Sequence, residues 1–210
     1  MAGLIEGLDA GRVRVNLERV REVAGPDVEI LAATKYVALE EMGVLAEAGV
    51  ELVGENRLQD LEAKRQRWGD AFAWDFIGNL QSRKVKGILP LVRLIHSVAS
   101  DSALEQLGRH AGDGTEVLVE VNVAGEEAKG GVPPAELGDF IARCPVRVAG
   151  LMTMPPESSD PEASRRHFAR LAELAAEHGL ERLSMGTSQD WEVAVEEGAT
   201  IVRLGGVLYL

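Results

Sequence analysis

Lys35 directly follows the apolar run Leu31-Ala32-Ala33-Thr34. A lysine amine held in desolvated surroundings has its pKa lowered and condenses with an aldehyde to give a Schiff base. The competing reading is a snorkelling surface lysine, and for one lysine taken alone it is the better supported. Comparable positions along the chain reverse that preference. Later apolar runs end in Gly54-Glu55-Asn56, Ile77-Gly78-Asn79, His96-Ser97, Asn122, Met152-Thr153-Met154, Ser184-Met185-Gly186-Thr187-Ser188 and Arg203-Leu204-Gly205-Gly206. The last two supply what a phosphate needs. They offer unshielded backbone N–H groups, the hydroxyls of Ser184, Thr187 and Ser188, and a helix N-terminus near 188–191. A glycine after a strand is also an ordinary turn residue, so it is the pairing of the two turns that counts. Arg203 is expected at the rim or interior of the fold, where a guanidinium needs a carboxylate, a carbonyl or a ligand acceptor. A structural ion pair, with Glu55 as partner, is the alternative use.

These residues converge only if the runs that carry them are parallel strands of one sheet. Val28–Ala33, Glu51–Gly54, Ala73–Ile77, Leu94–Val98, Glu116–Val121, Val146–Met152, Arg182–Met185 and Thr200–Leu204 read as eight short, Val-, Ile- and Leu-rich strands. Between them, sets such as Leu104/Leu107/Ala111, Leu137/Phe140/Ile141 and Phe168/Leu171/Ala175 lie on one helical face. Alternating β and α with near-continuous apolar strands predicts a parallel sheet buried on both faces, and eight repeats predict a TIM-type (β/α)₈ barrel. A flavodoxin-like open sheet is the competing fold, but it needs only about five strands. Six residues follow Leu204, too few for an eighth covering helix, so a helix over about 3–24, with Val13, Leu17, Val20 and Ala24 on one face, is expected to pack in its place. With no interdomain linker, residues 1–210 read as one domain. The loops Ala124–Pro134 and Pro155–Pro161 follow strands on the ligand-binding face and are candidate mobile covers.

Composition narrows the partners. The net charge of −12 repels a phosphate backbone, and Arg83-Lys84-Val85-Lys86 is too short a basic stretch to offset it, although Lys84 could still act locally on an anionic ligand. Nucleic acid is therefore not expected, and Trp68, Trp74 and Trp191 read as packing residues. No run approaches the roughly 20 apolar residues of a membrane span and the start is unlike a signal peptide, so a cytoplasmic protein is expected. The single Cys144 cannot pair within the chain and reads as a small buried residue. The histidines at 96, 110, 167 and 178 are dispersed, so no metal site is expected.

With Lys35, Gly54-Glu55-Asn56, Phe76-Ile77-Gly78-Asn79-Leu80-Gln81-Ser82, Gly150-Leu151-Met152, Leu183-Ser184-Met185-Gly186 and Val202-Arg203-Leu204-Gly205 in this order, the chain resembles the pyridoxal phosphate homeostasis proteins, the YggS/PROSC-like family. The likeness runs from about Leu31 to Gly206. It implies a barrel like the N-terminal domain of alanine racemase, with pyridoxal 5′-phosphate (PLP) on Lys35 and Arg203 at the pyridine nitrogen. It places Ser184, Gly205 and the following backbone, Gly206 included, around the phosphate, with Asn56 and Met185 at the ring. It further implies that Lys129, in Glu126-Glu127-Ala128-Lys129-Gly130-Gly131, takes part in cofactor release. Three positions depart from the family pattern: Asp75 stands where histidine is usual, Thr187 where methionine is common, and Gly206 where threonine is typical. The last removes a hydroxyl and is expected to weaken phosphate binding by about 1 kcal/mol. The end Val207-Leu208-Tyr209-Leu210 is also shorter than the resemblance leads one to expect, consistent with a truncated C-terminus.

An arginine can only donate to the pyridine nitrogen, which leaves that nitrogen unprotonated and the ring a weak electron sink. Racemisation also needs an acid/base group on each face, and Tyr36 and Tyr209 are the only tyrosines. The expected function is thus PLP storage, buffering or delivery to PLP-requiring apoenzymes by a monomer, with no catalytic residue assigned. A low-activity racemase or lyase, and a Schiff-base aldolase for a phosphosugar, are the enzyme alternatives.

Overall fold

Strands buried on both faces leave no side for water, and closing the sheet on itself also removes its two unpaired edges. The computed structural model, which describes residues 4–126 and 129–210, has this form. Strands β1 (Glu29–Ala33), β2 (Leu52–Glu55), β3 (Ala73–Phe76), β4 (Leu94–Val98), β5 (Glu116–Glu120), β6 (Arg147–Met152), β7 (Arg182–Ser184) and β8 (Ile201–Leu204) are all parallel and pair in sequence order. The barrel closes through β8 on β1, with Leu31 opposite Arg203. All eight strands fall within a residue or so of the expected segments.

Period-two alternation divides the apolar residues between two cores. Leu31, Leu52, Leu94, Leu118, Ala149, Met152 and Ile201 form a small cluster inside the barrel. Ala32, Val53, Ile95, Val117, Val119, Val202 and Leu204 join a larger cluster with the helices outside. The helices are α1 (Ala10–Ala24), α2 (Met42–Glu47), α3 (Leu58–Trp68), α4 (Val85–Ile88), α5 (Asp101–His110), α6 (Leu137–Arg143), α7 (Arg165–Glu177), α8 (Trp191–Glu196) and α9 (Gly206–Tyr209).

Helix α1 buries Val13, Leu17, Val20 and Ala24 and packs against α2, α8 and α9, so it covers the β8–β1 seam as expected. Its start differs from expectation. The Asp9 side chain accepts the Arg12 amide at 2.7 Å and begins the helix at Ala10, while residue 3 of the expected span lies outside the described residues. The backbone ahead of it is engaged elsewhere. Gly7 and Leu8 amides donate to the Glu41 carboxylate at 3.0 Å each, and Ile5 forms a parallel bridge with Val37. The expectation that no helix follows β8 is also corrected, since Gly206–Tyr209 form a single helical turn.

Two glycines are required where loops meet at the mouth. A Cβ on Gly78 would fall 2.1 Å from the Asn56 carbonyl oxygen, so only glycine lets the β3–α4 loop lie on the β2–α3 loop. Gly186 has φ +89°, and its Cβ would stand 2.6 Å from that of Ala194.

Leu118 is fully buried at the centre of the inner cluster. Leu118→Ala is expected to lower unfolding free energy by about 3 kcal/mol, read from urea denaturation with an unchanged m-value.

Candidate functional site

The carboxyl ends of the strands bring the polar residues singled out in the sequence to one pole, in three groups. In the first, Lys35 lies in the turn after β1 and is exposed, its Nζ 4.9 Å from the centroid of the Tyr36 ring. The desolvated setting expected for this amine is therefore corrected: the chain turns outward after Thr34, and the ammonium rests on an aromatic face. It borders a cavity of about 480 Å³ that Asn56, Tyr36 and Lys64 also line. The backbone beyond Lys35 is pinned, because Ile5 donates to the Tyr36 carbonyl at 2.6 Å and accepts from Ala38 at 3.2 Å.

Beneath it lies an ion pair that sequence reading missed. Lys64 of α3 is buried, and its ammonium donates to Glu55 Oε1 at 2.6 Å and to the Thr34 carbonyl at 2.7 Å. The Thr34 hydroxyl donates to the same Glu55 oxygen at 2.6 Å, and Glu55 Oε2 has no hydrogen-bond partner among the described residues. Glu55 is thus committed to Lys64, and the suggested Glu55–Arg203 pair is corrected. Tyr209 is buried beside this pair and donates to the Ala33 carbonyl at 3.2 Å, tying the end of α9 to the end of β1. Burial and the Glu55 charge push its phenol well above the usual range.

The second group is inside the barrel. Arg203 is 5% exposed, and its Nη1 donates to Ser184 Oγ at 2.6 Å. Its Nη2 donates to the Thr153 carbonyl and to Met154 Sδ, each at 2.9 Å. A guanidinium has five N–H donors. Three are used here, which leaves two without a partner among the described residues. Burial pushes this guanidinium down to about 10, against the favourable charges of Glu120 and Asp190. Ser184 continues to His96 Nδ1 at 2.8 Å, and His96 Nε2 to Asp75 Oδ2 at 3.1 Å. Strand alternation that turns Ser184 inward turns Met185 outward into the helix-facing core, fully buried. The Met185 side chain therefore faces the outer core, and the Ser184 hydroxyl is engaged by Arg203 and His96 rather than presented to the phosphate turns. Sequence reading noted His96 as a strand end and Asp75 as a departure but missed their role. The usable signal was parity, since each is a polar residue at an inward position of an apolar strand.

The third group is the pair of turns after β7 and β8. The amides of Gly205 and Val207 converge on Ser188 Oγ at 3.0 and 3.3 Å. Thr187 does not join them, because its amide and hydroxyl are held by Asp190 Oδ1 at 2.7 and 3.1 Å. A Cβ at Gly206 would meet only Leu210 Cδ1, at an ordinary 3.6 Å.

Lys129 links the two candidate covers. Its ammonium lies 2.7 Å from Glu126 Oε2 and donates to the Pro155 carbonyl at 3.2 Å. Residues 127 and 128 of that loop lie outside the described residues.

The arrangement offers an amine, donors for an aromatic nitrogen and converging amides for an anion, all at one barrel pole. Comparisons with known proteins give the family. The sequence profile of the alanine racemase N-terminal domain matches residues 8–210. A pyridoxal phosphate homeostasis protein from Aquifex aeolicus is 40% identical, with 94% of each chain covered. PipY of Synechococcus elongatus, solved without PLP, superposes with a TM-score of 0.85 at 31% identity over 94% of this chain and 100% of that one, and it has also been solved with PLP bound. Alanine racemase from Corynebacterium glutamicum, at 18% identity, shares the fold with a TM-score of 0.75 over 96% of this chain and 61% of its own.

Removing one member of a buried pair strands the other's charge. Lys64→Met is expected to destabilise the fold by about 3–5 kcal/mol, and the double variant Glu55→Gln/Lys64→Met to recover much of that loss in guanidinium titrations.

Proposed function

The chain belongs to the alanine racemase N-terminal-domain family, among the proteins of pyridoxal phosphate homeostasis, and from that premise we propose that it holds PLP as a Schiff base on Lys35 and stores, buffers or delivers it to apoenzymes. The observation that carries this reading is the buried guanidinium of Arg203, two of whose N–H donors have no partner among the described residues, at the same carboxyl pole of the barrel as the turn that holds Lys35.

The residues present fit PLP. The cofactor brings an aldehyde for amine capture and an electron-withdrawing ring. Its pyridine nitrogen is an acceptor suited to the free donors of Arg203. Its phosphate suits the amides of Gly205 and Val207, which already converge on one oxygen, that of Ser188. Gly206 adds backbone to this turn but no hydroxyl. Asn56 lines the same cavity as Lys35, which supports a role for it in orienting the ring.

Two features favour holding over turnover. Arg203, being donor-only, leaves the ring nitrogen unprotonated and weakens the electron sink. The Tyr209 hydroxyl is buried and spent on the Ala33 carbonyl, so it does not furnish a second acid/base group. An exposed Lys35 amine suits loading and release, because an incoming aldehyde or competing amine reaches it without opening the core.

Two outcomes check the reading. Protein reconstituted with PLP should show a visible absorption band that Lys35→Ala eliminates, while a band that survives the substitution would remove Lys35 from the role. Gly206→Thr, for which the structure has room, should tighten PLP binding about fivefold in equilibrium titration, the value of one neutral hydrogen bond.

A further inference from the structure

Arg203 carries its charge inside the barrel with no carboxylate in salt-bridge contact among the described residues. The donor rules orient the contacts beyond it. Arginine only donates, so the Ser184 oxygen accepts from Nη1 and its one proton is free for His96 Nδ1. Asp75, kept a carboxylate by Arg93, only accepts, so His96 Nε2 carries the ring proton, and in a neutral ring Nδ1 is then left to accept the Ser184 proton. Asp75 also accepts from Arg93 Nε at 3.1 Å and Nη2 at 2.9 Å, and Arg93 in turn pairs with Glu29 at the opposite end of the barrel. Every hydrogen between Arg203 and Asp75 thus points the same way, toward the buried carboxylate.

We propose that Asp75, His96 and Ser184 are positioning residues for Arg203: a one-directional hydrogen-bond relay links its guanidinium to a carboxylate it does not touch and sets the direction of its free N–H donors. Bonds in such a chain polarise one another in the low-dielectric interior, so the Asp75 charge is felt at Arg203 through two neutral side chains. The groups facing His96 agree with a neutral ring. Arg203 from β8 and Arg93 beside β4 disfavour a second ring proton, complete burial disfavours it most, and only Asp75 from β3 favours it. A doubly protonated ring would also leave Ser184 Oγ accepting from two cations at once.

The relay exists without cofactor, but its consequence for the ring rests on the PLP reading, so the test has separate arms. In apo protein labelled with 15N-histidine, the His96 ring should show a protonated Nε2 and an unprotonated Nδ1 from pH 6 to 8. The opposite tautomer or a doubly protonated ring would overturn the proposal. The same tautomer should persist in Lys35→Ala. In PLP-loaded protein, Ser184→Ala cuts the chain at its middle and Asp75→Asn removes its terminal charge. Each should shift the visible absorption maximum and weaken PLP binding about tenfold, the loss of one charge-assisted bond. Lower thermal stability with unchanged spectrum and affinity would reduce these residues to packing and sink the idea. If no PLP band forms even in the unmodified chain, the PLP reading fails, and the tautomer still decides the relay.

Discussion

A charge held inside a closed barrel is almost cut off from water, so every group around Arg203 is constrained by it. Burial weakens the guanidinium's hold on its proton, and the protein answers with a hydroxyl, a carbonyl, a thioether and the more distant charges of Glu120 and Asp190. The inner apolar cluster of Leu31, Leu52, Leu94, Leu118 and Ile201 fills the barrel alongside this polar layer. Both derive from the same alternation, in which neighbouring inward positions of one strand carry first an apolar and then a polar residue, as in Leu94 and His96 or Ile201 and Arg203.

The two lysines near the mouth divide their tasks by environment. Lys64 is buried, paired and bonded to the Thr34 carbonyl, so it anchors the turn from which Lys35 projects. Lys35 is exposed and rests on Tyr36, a contact worth little and easily given up. Around this turn the N-terminal segment at Ile5 and the C-terminal Tyr209 both bond to the backbone that flanks Thr34 and Lys35. Chain segments far apart in sequence therefore fix where the amine starts, while its own four-carbon stem sets where it reaches.

The barrel was legible before any coordinates. Eight apolar runs with helical faces between them leave little choice of architecture, and the position of α1 followed from the shortage of residues after β8. Less legible were the element ends. Asp9 reads as one more acidic residue until its side chain is seen on the Arg12 amide, and the single turn of α9 depends on Gly205 and Ser188 meeting across seventeen residues.

For the site, sequence alone determined which residue types gather at the carboxyl pole: Lys35, Asn56, Arg203 and the glycine turns after β7 and β8. Period-two alternation and strand order suffice for that, since both are local properties of the chain. Only the tertiary structure decided what each residue does there. It gave Glu55 to Lys64 instead of Arg203, turned Met185 to the outer core, committed Ser184 to Arg203 and His96, and joined Asp75 to that line. Hydrogen-bond partners depend on which strands become neighbours across a barrel and on which side chains lose water together, and neither quantity is written in the spacing of residues along one strand.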